Sequence, residues 1–390
     1  MKIKKLTLLN FRNYKKQVIN FDEKVNIIIG DNAVGKTNIL ESIYFLALTK
    51  SYRTNDDNLI QFNEQFSKVK GDIKNNGLTI NLEVYIDENK KEVKVNSNII
   101  KKISDYITNM NVILVSPEDI NILQGSPADR RNFLNIELSQ ISKNYLNKYN
   151  EFNKLLKIRN NYLKLLFRSF NKDTNYLDSI TENLVEREID IYIERYNFVK
   201  AINERINNIY KDITGIDGFK IEYKTNIEIN SFEREELRNV LLEKYHNSLN
   251  KEIEQGMTLY GPHRDDLEFL IESKDIRLYG SQGQQKIAII ALKFSEIEIF
   301  NNLTGTYPII LLDDIFSYLD SKNRNKLIDY ISNDVQVIIT SNDTKGISKK
   351  IIDNAKIFKI VKGNIIEKVI KKWMNKKKNM IHHQYKYWKD

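Results

Sequence analysis

At 390 residues, 41% of them hydrophobic, the chain is long enough for two or three domains with real cores. It has no cysteine, which excludes disulfides, thiolate metal sites and a cysteine nucleophile, and its four histidines argue against a His-rich metal site. No run of 18 apolar residues offers a membrane span and residues 1–6 are too charged for a secretory signal, so a cytoplasmic protein without a membrane partner is expected.

Residues 2–9 and 15–21 alternate or are β-branched, as half-buried strands are. Val25–Ile29 is apolar without alternation, the pattern of a strand buried on both faces. It runs into Gly30-Asp31-Asn32-Ala33-Val34-Gly35-Lys36-Thr37, a full GxxxxGK[ST] match, and then into Asn38 and the helical spacing Ile39, Leu40, Ile43, Leu46. Strand, glycine loop and helix form the context that a phosphate-binding loop requires. Residues 30–38 are therefore expected to wrap the phosphates of a nucleoside triphosphate at a helix N-terminus. Lys36 would place a charge on the β- and γ-phosphates, and Thr37 would offer its hydroxyl to Mg²⁺.

Further strands are expected over 68–73, 78–87 and 92–96, with Asn76-Gly77 as a hairpin turn. Between Pro127 and Gly215 there is neither proline nor glycine, so long helix can run there. Leu138, Ile141, Tyr145, Phe152, Leu155, Tyr162 and Leu166 form one helical register, interrupted by Lys148 and Arg159. Val185, Ile189, Tyr192, Tyr196, Val199, Ile206, Tyr210 and Ile213 form a second, broken at Asn203, with the polar stretch 169–175 as the turn between them. A protruding helical hairpin and the core of an all-α subdomain fit this periodicity equally.

Past the insertion, Tyr279-Gly280-Ser281-Gln282-Gly283-Gln284-Gln285 precedes a helix and can cradle an anion; Ser281 would also serve as a simple N-cap. Residues 309–312 are a second buried strand, ending in Asp313-Asp314, the Walker B form. Asp313 would reach Mg²⁺ through water and Asp314 would act as general base. Ser317 and Asp320 fit the loop after it, the D-loop. A third buried run, 335–339, leads to Thr340-Ser341, with Thr340 as the expected sensor of the γ-phosphate. Seven Lys and one Asp in residues 371–390 supply most of the net charge of +9; Trp373, Tyr385, Tyr387 and Trp388 lie among them. Such a tail could track nucleic acid, or be a solvated, disordered terminus.

With a signature shortly before Walker B, the chain reads as an ABC-type ATPase. The chain also carries Leu9-Asn10-Phe11-Arg12-Asn13-Tyr14, Lys50-Ser51-Tyr52-Arg53-Thr54, Ser116-Pro117-Glu118-Asp119, and Gly125-Ser126-Pro127 with Arg130-Arg131-Asn132-Phe133-Leu134. With Gly261-Pro262-His263-Arg264-Asp265-Asp266 and Ser281-Gln282-Gly283-Gln284-Gln285, these segments make it resemble, more narrowly, the RecF family, relatives of SMC heads, over residues 1 to about 370.

The fold it implies is α/β, an ABC/SMC-like ATPase head of mixed sheet and flanking helices. Its halves, 1–125 and 256–370, would be interrupted by a helical arm, 126–255, and followed by the tail. The function it implies is a weak, DNA-stimulated ATPase that forms an ATP-dependent homodimer on duplex, gapped or single-stranded junction DNA. With RecR and RecO it would promote RecA loading in recombinational repair, the SOS response and replication restart, in the cytoplasm at the nucleoid. In that dimer Ser281, Gln282, Gly283 and Gln284 of one copy would face the ATP of the other.

Arg53, Arg130 and Arg131 are candidate DNA contacts, although Arg130 and Arg131 could equally pair with local acids. Arg12 could contact phosphate or tie the first hairpin to the sheet. No glutamine is assigned to bridge Mg²⁺, Gln124 being nearest. A transporter ATPase subunit is disfavoured by the long insertion, the signature and the missing switch histidine. A long structural tether is disfavoured by the short arm. An ABC-type subunit of another complex, or a nucleotide-gated DNA clamp without a mediator role, remains open.

Overall fold

The computed structural model describes residues 1–169, 173–315, 323–324, 326–327, 330–331, 334–344, 347, 349–361 and 363–368. They form two compact units, Met1–Glu118 with the described residues from Phe300 onward, and Asp119–Ile299.

In the first unit the alternating segments pair into an antiparallel sheet, ordered Tyr14–Asn20, Lys2–Phe11, Phe66–Asn75, Leu78–Asp87, Lys91–Val95, Asn98–Ile99. The Asn76-Gly77 turn joins two of these strands with both residues at positive φ, 46° and 82°. The unbroken apolar runs build a second sheet, ordered Asn364–Lys368, Ala355–Val361, Val25–Ile29, Val337–Ser341, Ile309–Asp313, Val112–Val115. Its pairs are parallel except at the edge strand Asn364–Lys368.

The strand expected at 335–339 lies two residues later, which carries Thr340 and Ser341 into the sheet. Val112–Val115 is a further buried strand whose four apolar residues carried the same signal unused. The helix Lys36–Leu48 packs on strands of both sheets, with Ile39, Leu40, Ile43, Phe45 and Leu46 fully buried. Val25–Ile29 and Ile309–Asp313 each flank Val337–Ser341, so three polar strand ends lie side by side. Ligands of parallel sheets bind at such carboxyl ends.

The second unit contains the helices Pro127–Ile141, Lys143–Arg168, Asn175–Thr214 and Arg234–Gln255, and a small sheet ordered Lys274–Asp275, Asp266–Ile271, Phe219–Lys224. The first expected helical register is two helices. Ser142 leaves helical geometry, donates its N–H to the Leu138 carbonyl, and caps the next helix by accepting from the Tyr145 N–H at 3.1 Å. This unit is wider than 126–255, because Asp266–Ile271 pairs along its whole length with Phe219–Lys224 and brings residues 256–299 into it. It is neither a bare hairpin nor all-α. Among the described residues no helix is long and apolar enough to cross a membrane.

Candidate nucleotide site

Gly35 is the N-cap of Lys36–Leu48 at φ 108°, and a Cβ there would come within 2.5 Å of Asn13 Nδ2 and 2.8 Å of the Tyr14 hydroxyl. Only glycine meets both conditions. The contacts show what braces the loop: Asn13 Nδ2 donates to the Val34 carbonyl at 3.2 Å, and the Tyr14 hydroxyl to the Gly35 carbonyl at 3.0 Å. Asp31, Asn32 and Ala33 are exposed, Val34, Thr37 and Asn38 half-buried, and Gly30, Gly35 and Lys36 buried.

Lys36 Nζ donates to the Gly30 and Asp31 carbonyls at 2.7 and 2.8 Å and to Asn342 Oδ1 at 2.9 Å. The ammonium thus curls over its own loop, where a phosphate would compete for it. Burial lowers its pKa, while the carboxylates of Asp314, Asp313 and Asp31 oppose that shift.

Asp313 ends its strand opposite Thr340 in the parallel register. Its Oδ1 accepts from the Thr37 hydroxyl at 3.0 Å and from the Thr340 hydroxyl at 2.6 Å, and its Oδ2 from the Tyr52 hydroxyl at 3.4 Å. Burial pushes the Asp313 carboxyl above its usual range against the pull of the Thr340 and Thr37 hydroxyls. Asp314 adopts φ 51° and donates its N–H to Thr340 Oγ1 at 3.0 Å. Its carboxyl is also raised by burial, with Lys36 opposing. Thr37 and Asp313 offer a hydroxyl and a carboxylate on adjacent positions, the hard oxygen donors that suit Mg²⁺.

Thr340 corrects the expectation of a γ-phosphate sensor. It is fully buried, and its hydroxyl serves Asp313 and the Asp314 backbone. The side chain at Lys36 is Asn342, two residues on and exposed, which sequence reasoning missed. A polar residue just past a buried strand was its only signal. Tyr52 and Asn13 were visible as parts of quoted motifs, without a role.

Arg12 ties the first hairpin to the helix behind the phosphate loop. It sits at φ 52°, its Nε and Nη2 donate to Glu41 at 2.8 and 2.7 Å, and Glu41 is fully buried in the helix behind the loop. Arg53, expected at DNA, instead donates to Asn38 Oδ1 at 3.3 Å and lies 3.7 Å from both Glu41 and Glu118. That places it at the mouth of the phosphate loop. Arg130 as a DNA contact is corrected outright: it is 2% exposed, forked onto Asp266, and donates to the Gly125 carbonyl at 3.0 Å. Arg131 is half-buried and donates to the Asp265 carbonyl at 2.8 Å.

In the second unit Ser281, Gln282 and Gly283 are exposed at the start of Gln282–Thr304. Ser281 N–H donates to Gln284 Oε1 at 2.7 Å, and Gln284 N–H to Ser281 Oγ at 3.3 Å, a reciprocal capping pair. Gln285 fixes the loop from below, with Nε2 on the Ile276, Arg277 and Gly280 carbonyls and Oε1 accepting from Gln124 at 2.7 Å. Gln124 is thus committed to the signature in this structure. Ser317, Asp320 and the tail 371–390 lie outside the described residues.

The family model for the RecF/RecN/SMC N-terminal domain matches residues 2–366. The DNA replication and repair protein RecF of Staphylococcus epidermidis (strain ATCC 12228 / FDA PCI 1200) is 39% identical over 371 residues, 94% of this chain and all of the relative. RecF of Geobacillus sp. (strain WCH70) is 38% identical over 366 residues, 92% of this chain and 97% of the relative. Among solved structures, the recombination mediator protein RecF-ATP in the RecFOR pathway superposes with TM-score 0.86 at 31% identity, covering 94% of this chain and 98% of that one. An Smc head bound to the C-winged helix domain of ScpA, at 16% identity and TM-score 0.55, covers 96% of this chain and all of that one, and shares the fold.

Proposed function

The chain belongs to the RecF family of DNA replication and repair proteins, and from that membership we propose that it is an ATP-gated, DNA-binding ATPase of recombinational repair. The observation that carries the ATPase reading is Asp313 held between the Thr37 and Thr340 hydroxyls at 3.0 and 2.6 Å, beside Lys36.

Residues 30–38 bind the phosphates, with Lys36 exchanging its carbonyl partners for the β- and γ-phosphates. Thr37 and Asp313 hold Mg²⁺, which when bound neutralises phosphate charge. Asp314 takes the proton of the attacking water. Its short side chain, farther from the water than a glutamate would be, suits slow turnover, while burial raises its pKa in the direction that favours proton uptake. The exposed Ser281, Gln282 and Gly283, with the half-buried Gln284, close on the triphosphate of a second copy. ATP thereby joins two copies around duplex, gapped or junction DNA, and hydrolysis releases them. RecR and RecO are the expected partners in loading RecA in the cytoplasm.

The test is molar mass in solution for wild type, Asp314→Asn and Ser281→Arg, with ATP, ADP or no nucleotide, with and without gapped duplex. A dimer in wild type only with ATP, persistent in Asp314→Asn and absent in Ser281→Arg despite bound ATP, is the expected result. A monomer in every state would return Ser281 to a capping role. A Ser281→Arg dimer would remove the shared site.

A further inference from the structure

In the second unit, the helix Lys143–Arg168 treats its charges differently along its length. Near its start Lys148 pairs with Asp190 at 2.9 Å, and Glu151, the only acid in this helix, is taken by Arg187 at 2.6 Å. Toward its end Lys154, Lys157, Lys164 and Arg168 recur at steps of three, seven and four residues, which sets all four on one face. All four are exposed, and none has a carboxylate partner among the described residues. Asp173 and Asp178, the nearest acids across the turn in sequence, form no ion pair with them.

Three large apolar side chains flank this strip, where Lys143–Arg168 turns into Asn175–Thr214. Leu165 is 61% exposed, Phe167 60% and Tyr176 56%. Their exposure is not that of a loose end. Behind them Leu163, Leu166 and Leu177 pack with Ile253 in a buried cluster. Tyr162 meets Tyr176 edge-on with ring centroids 5.0 Å apart, and donates its hydroxyl to the Asp173 carbonyl at 3.1 Å. Single exposed apolar residues are ordinary on any surface, but a group of them on a backing ordered from within marks an interaction site. Two of them also sit three residues from a cation, Phe167 from Lys164 and Leu165 from Arg168, so apolar and charged groups share one surface.

We propose that this end of the helix pair is a docking surface for an acidic segment of a partner protein, one that carries apolar side chains among its carboxylates. Charge complementarity sets the class of partner, since four uncompensated cations call for carboxylates or phosphates. The apolar residues decide between the two. A phosphate backbone gives Leu165 and Phe167 nothing to bury against, and base stacking uses aromatic rings but not leucine. An acidic segment with apolar anchors engages both sets at once. Its carboxylates meet the lysine and arginine heads, and its anchors seat on Leu165, Phe167 and Tyr176 against the aliphatic stems of the lysines.

The experiment titrates three probes onto the full chain: an acidic copolymer of Glu and Tyr, poly-Glu of matching length, and duplex DNA. Poly-Glu, which any basic segment can hold, gives the baseline. Wild type is compared with an apolar variant, Leu165→Ser with Phe167→Ser, and a charge variant, Lys157→Gln with Lys164→Gln and Arg168→Gln. All five side chains are exposed, so neither set removes a core contact. Wild type should bind the copolymer roughly tenfold more tightly than poly-Glu. Each variant should bring the two polymers within about twofold of each other, with duplex binding within about twofold of wild type. Equal binding of both polymers by wild type, or a preference that survives in the apolar variant, overturns the proposal. So does a charge variant that loses more affinity for the duplex than for the copolymer, which would make the strip a nucleic-acid contact.

Discussion

Thr340 shows how one hydroxyl can organise two carboxylates. Fully buried, it donates to Asp313 Oδ1 and accepts the Asp314 N–H, so the proposed Mg²⁺ ligand and the proposed general base share one support. Asp314 sits at φ 51°, a left-handed conformation unfavourable for a side chain bearing Cβ, and this hydrogen bond helps to hold it. Thr340→Val keeps the volume and removes the bond. A hydrogen bond to a charged group contributes about 1.5–3 kcal/mol. The kcat of ATP hydrolysis should therefore fall roughly 10- to 100-fold with KM changed by no more than about threefold. Thr340→Ser should recover most of the loss, and steady-state kinetics on the three proteins checks both outcomes. A loss confined to KM would place Thr340 on the nucleotide itself.

At the level of elements, the polar breaks in the helical registers of the insertion are where helices are tied to their neighbours. Lys148 pairs with Asp190 of the next helix at 2.9 Å. Asn203 exchanges two hydrogen bonds with Ile221, at 2.7 and 2.8 Å, and so holds Phe219–Lys224 against Asn175–Thr214. Arg159 is 1% exposed; it donates to Glu252 at 2.6 Å and to the Thr181 and Thr258 hydroxyls at 2.9 Å each, linking Lys143–Arg168 to Asn175–Thr214 and to Arg234–Gln255. Its guanidinium also stacks on Tyr245, 4.4 Å from the ring centroid. Arg159→Met keeps the apolar stem but leaves the fully buried Glu252 without its partner. Breaking such a pair from one side costs about 3–5 kcal/mol. Urea unfolding followed by circular dichroism should show the midpoint fall accordingly, and a shift below about 1 kcal/mol would mean that the pair contributes little.

For the molecule as a whole, acid stability should carry the mark of the buried groups behind Gly261-Pro262-His263. Burial lowers His263 to about 4, with Arg264, Arg131 and Arg195 adding to the shift and the Thr258 carbonyl opposing it. A depressed histidine contributes stability that is fully present above its unfolded pKa of about 6.5 and is lost as pH falls through 4. Asp265, pushed up to about 6 by burial, has the opposite sign: its contribution is present below about 4 and lost as pH rises through 6. The His263 part is isolated by comparing wild type with His263→Gln at each pH. From pH 7 to 4 wild type should lose roughly 3 kcal/mol more than the variant, measured by denaturant unfolding. Parallel curves for the two proteins would mean that His263 does not titrate in this way.

Local chemistry was legible in the chain because it is written in contiguous residues. Gly30 to Thr37 contains its own turn, charge and helix start, and needs only the preceding strand Val25–Ile29 to be recognised. The same holds for Asp313-Asp314 at the end of an apolar run and for Ser281 to Gln285 at a helix start. Tertiary structure decided which side chains complete them. Thr37 and Asp313 are 276 residues apart, and Lys36 and Asn342 are 306 apart; each pair meets because the parallel sheet aligns three strand ends. No spacing rule distinguishes Thr340 facing inward from Asn342 facing Lys36, since a two-residue shift in where a strand ends leaves its composition unchanged. Arg130 and Arg53 looked alike as surface cations. Burial against Asp266 made one a structural tie, and adjacency to Asn38 brought the other to the phosphate loop. Motif chemistry is set by neighbours along the chain, whereas partner and exposure are set by neighbours in space, and only folding brings those together.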